Sequence, residues 1–363
     1  MKRVCVTITA RPSYSRVKSV LTALSARPDV TLQIVCAASA LVTRFGRVVD
    51  VIRADGFEVT AEVPSVVEED TLSNSAMSTG LLLTQLAGVF AALKPDVVVT
   101  IADRHETLAT AIAASYQNIP LCHIQGGEVS GSIDDKVRDA VTQLADVHLT
   151  ATQGAYERVH RMLDRYDRYN SISRESRRGV FLTGCPSIDL AAEAARLGPL
   201  GDPGVVVLQH PVTTEADQAA EQMSVTVGAL SAHRALYFWP GEDSGGSAMG
   251  KVLRLAGIKP VRNMPPLDFL RTLLAARCLV GNSSVGIREC SYLGVPVVNI
   301  GNRQAGREQG PNVLNVKHDM REIFLAVQIA VNAVRKHSTL YGDGHAGERI
   351  AGILAGEAVE AVA

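Results

Sequence analysis

The chain has 363 residues, 47% of them hydrophobic and 20% charged, and a formal net charge of −1. That length predicts about two domains with sizeable cores. The near-neutral charge excludes bulk electrostatic capture by nucleic acid or an anionic membrane, so any anionic ligand must be held by local arginines, hydroxyls and helix ends.

Strand and helix signals alternate from the start. Residues 4–8 read as strand, 13–26 as helix, 31–37 as strand and 48–55 as helix. Residues 61–76 show no period and read as a mobile loop. Then come helix 78–93, strand 97–101, helix 107–116, strand 121–124, helix 134–144 and strand 147–150. Short β-branched strands separated by helices imply parallel βαβ units. The Arg-rich stretch 165–179 reads as a solvated loop, followed by strand 180–182 and the turn Gly184-Cys185-Pro186. Gly198-Pro199-Leu200-Gly201-Asp202-Pro203-Gly204 is the best boundary.

A second α/β series follows: strand 205–209, helix 214–231, strand 235–239, helix 246–256, a strand near Val261 and helix 266–276. Strand 278–281, helix 287–293, strand 295–300, helix 319–335 and a final helix 347–359 complete it. The expected organisation is a first domain over 1–197, onto which a C-terminal helix within 347–363 folds back, and a second over 204–346. The six cysteines form no CxxC pair and read as reduced core thiols of a cytoplasmic protein. The first apolar run is too short for a signal peptide, and no segment is expected to reach the roughly 18 apolar residues of a membrane span.

Two turns carry the chemistry. After strand 121–124 the chain passes through Gly126-Gly127, and His123, Glu128, Asp134, Asp135 and Arg138 lie on or beside that transition. The carboxyl ends of strands are where open α/β sheets bind ligands, and charged groups inside folds need partners. In the second half, Gly281-Asn282-Ser283-Ser284 follows a strand and opens a helix, a pattern that offers N–H groups and hydroxyls to phosphate. Bland readings stand beside these. Asp103 and Asp134 can cap helices, Glu128 can be a structural partner of Arg138, and His123 can be a satisfied core histidine. His148 is open between the two.

The chain resembles the hydrolysing UDP-N-acetylglucosamine 2-epimerases. The matching segments are Ala102-Asp103-Arg104-His105-Glu106-Thr107-Leu108-Ala109, the stretch 123–138, Gly184-Cys185-Pro186-Ser187 and Leu208-Gln209-His210-Pro211-Val212-Thr213-Thr214. Residues 281–289, Gly301-Asn302-Arg303-Gln304-Ala305-Gly306-Arg307-Glu308 and Tyr341-Gly342-Asp343-Gly344 complete the set. They span nearly the whole chain. The resemblance implies an α/β, GT-B-like fold: two Rossmann-like doubly wound domains facing a central cleft. It implies elimination of UDP from UDP-GlcNAc through 2-acetamidoglucal and hydration to N-acetylmannosamine, without metal or cofactor.

The implied catalytic residues are Asp103, His123, Glu128, Asp134 and Arg138. The implied UDP-sugar contacts are Arg11, Arg104, His210, Ser283, Ser284, Glu289 and Arg303. A homodimer or homotetramer is expected, with no nucleic-acid or membrane partner. The departures are Ala102 for a common glycine, Asp139 for an imidazole after Arg138, Gln143 for a lysine and Gly241 for an asparagine. Asp139 either pairs with Arg138 or Lys136 and weakens the chemistry, the reading favoured here, or faces outward. Competing functions are a GT-B glycosyltransferase, a nucleotide-sugar sensor and a relative acting on another nucleotide sugar.

Overall fold

Short apolar segments pair into two all-parallel sheets. The computed structural model describes residues 1–68, 71–130, 133–167, 179–241, 244–262 and 264–357, except for the side chains of 165–167. The first sheet contains β1 (Lys2–Ile8), β2 (Val30–Ala37), β3 (Ala61–Val63), β4 (Val97–Ile101), β5 (Leu121–Ile124), β6 (Val147–Thr150) and β7 (Val180–Leu182), in the order β3-β2-β1-β4-β5-β6-β7. The second contains β8 (Val205–Leu208), β9 (Ala235–Tyr237), β10 (Cys278–Gly281), β11 (Val297–Ile300) and β12 (Val313–Val316), in the order β12-β11-β10-β8-β9.

The helices of the first part are α1 (Arg11–Ser25), α2 (Val48–Ala54), α3 (Leu72–Leu93), α4 (His105–Ser115), α5 (Asp134–Leu144), α6 (Gln153–Asp167) and α7 (Pro186–Leu197). Those that follow are α8 (Ala219–Ala229), α9 (Gly246–Leu255), α10 (Pro266–Ala275), α11 (Ser284–Ile287), α12 (Glu289–Leu293), α13 (Met320–Ala330) and α14 (Ala346–Ala355).

Both faces of each sheet are covered, which is why the strands read as apolar runs. Along β1, Val4, Val6 and Ile8 join one cluster while Cys5 joins the other. Along β8, Val205 and Val207 face one side, and Val206 and Leu208 the other. This is the two-residue period of a strand. The result is the GT-B-like pair of doubly wound domains that the resemblance implies.

The chain passes between the domains twice. Leu190, Ala191 and Ala194 of α7 pack with Val206 and Leu208 of the second sheet. Ile350, Ala351 and Leu354 of α14 return to the cluster around β1. The Asp189 carboxylate on α7 accepts hydrogen bonds from the Ala346 and Gly347 N–H groups at 2.9 and 2.6 Å, capping α14. Residues 358–359 of the expected final helix and residues 168–178 of the expected Arg-rich loop lie outside the described residues.

Several expectations are corrected. Residues 61–76 hold β3 and the first turn of α3, which Thr71 caps by accepting from Asn74 N at 3.1 Å. With that start α3 runs 22 residues, long and apolar enough by length and composition alone to cross a membrane, against the expectation that no segment would be. Its Leu82, Leu86 and Phe90 are buried in the core of the first domain. Residues 214–231 hold a 3-10 turn over Thr213–Gln218, itself kinked at the non-helical Glu215, followed by α8. Val261 makes only an isolated bridge to Phe238. β12, α6 and α7 have no counterpart in the sequence reading.

Candidate active site

Each sheet reverses its strand order once, and a crevice for ligand opens at such a point, beyond the carboxyl ends of the strands. In the first sheet the reversal lies between β1 and β4, whose ends lead into Arg11 and into Asp103-Arg104. In the second it lies between β8 and β10, whose ends lead into His210 and into Ser283-Ser284. All six residues line one cleft, together with Arg16, Asp134 and Arg303. A contiguous apolar part is walled by Leu208, Phe238, Phe269, Leu270 and Val285, with Glu289 at its edge.

The acids sit against arginines. Arg138, 1% exposed, pairs with Asp103 and Asp135 and donates to the Glu128 carbonyl at 2.7 Å. The Glu128 carboxylate pairs with Arg288 at 2.6 Å and with Arg307. Arg307 also lies 3.5 Å from Asp103. Burial pushes the Asp103 carboxyl up, but Arg138, Arg307 and Arg16 together outweigh it and hold the group well below the usual carboxylate range. Asp134 opens α5, half-buried. Asp139 is exposed, and the bonds of Arg138 run to Asp103, Asp135 and the Glu128 carbonyl. The outward-facing alternative for Asp139 therefore replaces the favoured one, because successive helical residues diverge by about 100°.

His123 is fully buried at the carboxyl half of β5. Its Nε2 is 2.8 Å from the Ala102 carbonyl, which only accepts, so Nε2 carries the proton. Nδ1 then accepts from the Thr142 hydroxyl at 3.1 Å. Burial lowers the imidazole to about 4, so it is neutral near pH 7. It holds Ala102, which like Gln125 two residues beyond His123 is a non-glycine residue with positive φ, both 67°. Each sits in the left-handed region at a strand end, where strain collects at functional sites. Gly127 has φ 78°, and a Cβ there would overlap the Ala155 carbonyl.

The second turn is held just as firmly. Asn282, fully buried, accepts from His210 N at 2.7 Å and donates to the His210 carbonyl at 2.9 Å. Gly241 N donates to His210 Nδ1 at 3.0 Å, which places the proton of a neutral imidazole on Nε2. Ser283 caps α11, Ser284 Oγ accepts from Arg16 at 3.0 Å across the cleft, and Arg303 donates to the Asn282 carbonyl at 3.2 Å. The expected helix 287–293 is broken at Arg288, whose ψ of −74° turns the chain so that its guanidinium reaches Glu128. Arg11 donates to the Arg262 carbonyl at 2.6 Å, and Arg104 pairs with Glu106 at 3.1 Å.

The structure thus gathers every candidate around one cleft or directly behind it. It adds Arg16, Arg288 and Arg307, which sequence reasoning did not single out. Arg288 and Arg307 stood inside matching segments, and that was the only signal for them. Arg16 had none, because its partner Ser284 is 268 residues away.

A family model described as UDP-N-acetylglucosamine 2-epimerase matches residues 22–355. The chain is 31% identical over 356 residues to a Legionella pneumophila protein named UDP-N,N'-diacetylbacillosamine 2-epimerase (hydrolyzing), covering 93% of this chain and 92% of that one. It is 27% identical to a Neisseria meningitidis serogroup B protein named UDP-N-acetylglucosamine 2-epimerase, covering 91% and 88%. Among solved structures, the N. meningitidis UDP-GlcNAc 2-epimerase bound to UDP-GlcNAc superposes with a TM-score of 0.77 at 16% identity, over 98% of this chain and 99% of that one. Fold, switch-point cleft and sequence match agree: the chain belongs to the UDP-N-acetylglucosamine 2-epimerase family.

Proposed function

We propose that this protein is a hydrolysing UDP-N-acetylglucosamine 2-epimerase. The observation that carries the reading is that the acids at the end of the first sheet and the hydroxyl turn at the end of the second front one cleft. The apolar part takes the uracil, and Glu289 takes the ribose diol. Arg11, Arg16, His210, Ser283, Ser284 and Arg303 take the diphosphate, and Arg104 fronts the sugar. The ring lies over Asp103, Glu128 and Asp134. One of these carboxylates removes the C2 proton as the C1–O bond breaks and UDP leaves, giving 2-acetamidoglucal. The cations and hydroxyls offset the charge that develops on the departing phosphate.

Water then adds across the double bond, hydroxyl to C1 and a proton to C2 from the opposite face, releasing N-acetylmannosamine. His123 positions the end of β4 and Arg138 positions Asp103. We read the protein as a cytoplasmic homodimer or homotetramer. The exposed Leu72, Met77 and Leu81 of α3 support self-association, which light scattering tests.

NMR of the protein incubated with UDP-GlcNAc tests the reaction. Free UDP with N-acetylmannosamine is the expected result. UDP-N-acetylmannosamine without UDP release would replace the hydrolysing reading, and binding without turnover would leave a nucleotide-sugar sensor. The L. pneumophila relative's name favours a second reading, a sugar with another acetamido group at C4. The same assay with UDP-N,N'-diacetylbacillosamine beside UDP-GlcNAc ranks the two substrates by kcat/KM.

A further inference from the structure

The loop after β11 carries one residue of the second domain into the midst of the first domain's acids. Arg307 sets its guanidinium against the Glu128 carboxylate and 3.5 Å from Asp103. Its neighbours dock the loop. Gly306 packs so closely on Val129 that a Cβ there would overlap the valine side chain. The Glu308 carboxylate accepts from the Thr152 hydroxyl and lies against Gly154, and the Glu308 carbonyl accepts from Tyr341 Oη at 2.7 Å. Arg307 is thus pinned on both sides by contacts between the domains.

The two acids differ in where their cations come from. Asp103 faces Arg16 on α1, His123 on β5 and Arg138 on α5, all of the first domain, besides Arg307. The carboxylate of Glu128, 6% exposed, has its ion pairs with Arg288 and Arg307, both of the second domain. The first domain's Arg138 meets only the Glu128 carbonyl. Separating the domains would leave Asp103 with two arginines and strip Glu128 of both its ion pairs. In the shut cleft Glu128 is cut off from water, and a carboxylate so buried keeps its charge only while cations face it.

We propose that Arg307 is a positioning residue that the docked loop delivers to Glu128, so that the acid stays an ionised, fixed carboxylate beside Asp103 once the two domains have shut and water is excluded. This rests on reading Glu128 as one of the acids of the epimerase reaction. Coupling of this kind would let the cleft shut around a sugar without the loss of charge that burial alone would impose on the second acid.

The test uses the full chain with Arg307→Gln, Arg307→Lys and Gly306→Val. Three quantities are read: the acid limb of kcat/KM on UDP-GlcNAc, UDP affinity by calorimetry, and the Glu128 carboxyl titration. The last is followed by 13C NMR with labelled glutamate, assigned through Glu128→Gln. Arg307→Gln is expected to raise the Glu128 midpoint and the acid limb together by about one unit or more. Turnover should fall roughly tenfold or more while UDP affinity stays within about threefold. Arg307→Lys should restore most of both. Gly306→Val keeps the arginine in the chain but undocks the loop that carries it, so it should shift the titration the same way. A Glu128 titration unmoved in Arg307→Gln and Gly306→Val overturns the proposal, as does a loss confined to UDP affinity. If the titration moves but the parent releases no UDP from UDP-GlcNAc, the coupling stands and the epimerase reading falls.

Discussion

The turns after β5 and β10 both carry a parallel strand into a helix through small residues, Gln125-Gly126-Gly127 in one and Gly281-Asn282-Ser283 in the other. After β5 the turn delivers carboxylates, of which Glu128 meets the buried Arg288 and Arg307 and Asp135 meets Arg138, beside the Asp103 that ends β4. After β10 it delivers hydroxyls, held by a buried asparagine and faced by arginines. One topology supplies two crevices, and side chains alone set them apart: acids suited to moving protons in one, hydroxyls suited to holding an anion in the proposed reading of the other. The comparison makes a division of labour: changes at the first turn should affect rate, and changes at the second should affect affinity.

The largest effect is expected beside the first turn, at the end of β4. Asp103→Asn should lower turnover of UDP-GlcNAc roughly 10³-fold and leave UDP affinity within severalfold. Steady-state kinetics beside calorimetry checks both halves, and a variant with near-parental turnover removes Asp103 from the chemistry. At the second turn, Ser283→Ala with Ser284→Ala removes the two hydroxyls that the proposed function sets against phosphate and should cost about 2–4 kcal/mol of UDP binding. Unchanged affinity by calorimetry would erase the division.

A milder effect sharpens the electrostatic side. The Asp103 carboxyl is held below its ordinary value in the folded chain. Its contribution to stability is therefore present above the unfolded value and is lost as pH falls below about 4 through the folded one. The melting temperature of the parent should drop on acidification through that window, and Asp103→Asn should show a shallower drop. Equal slopes would mean that the arginines do not favour the ionised form. The smallest effect belongs to Asp139→His. Because Asp139 is exposed and Arg138 is engaged elsewhere, kcat/KM and its pH profile should stay within about twofold. A large gain would show that this carboxylate reaches the site after all.

Much of the first and second sheets was legible, because strands covered on both faces are written as short β-branched runs such as Val97–Ile101 and Val205–Leu208. β12 was not, since its Leu314 is exposed and an edge strand lacks that continuous apolar signature. The start of α3 was hidden by a first turn of Leu72-Ser73-Asn74-Ser75, which reads as loop until Thr71 caps it. Within the site, Glu128 and the serine turn were visible because each lies beside glycines at a strand end, and Asp103 because it follows the apolar run of β4 directly. The partners of those acids were not. Arg288 and Glu128 are 160 residues apart, and no local periodicity reports a pair that only domain docking creates.

The return of α14 to the first domain has a mechanical meaning. A single linker would let the two halves swivel freely about one point. Here the backbone crosses on the approach to α7, whose Leu190, Ala191 and Ala194 already pack on the second sheet, and again before α14, and Asp189 of α7 ties the two crossings together through the start of α14. Two crossings act like the two pins of a door: they permit swing about the line that joins them and oppose twist and slide. An opening cleft would then retrace one arc, and Arg307 would return to the same two carboxylates each time it shut.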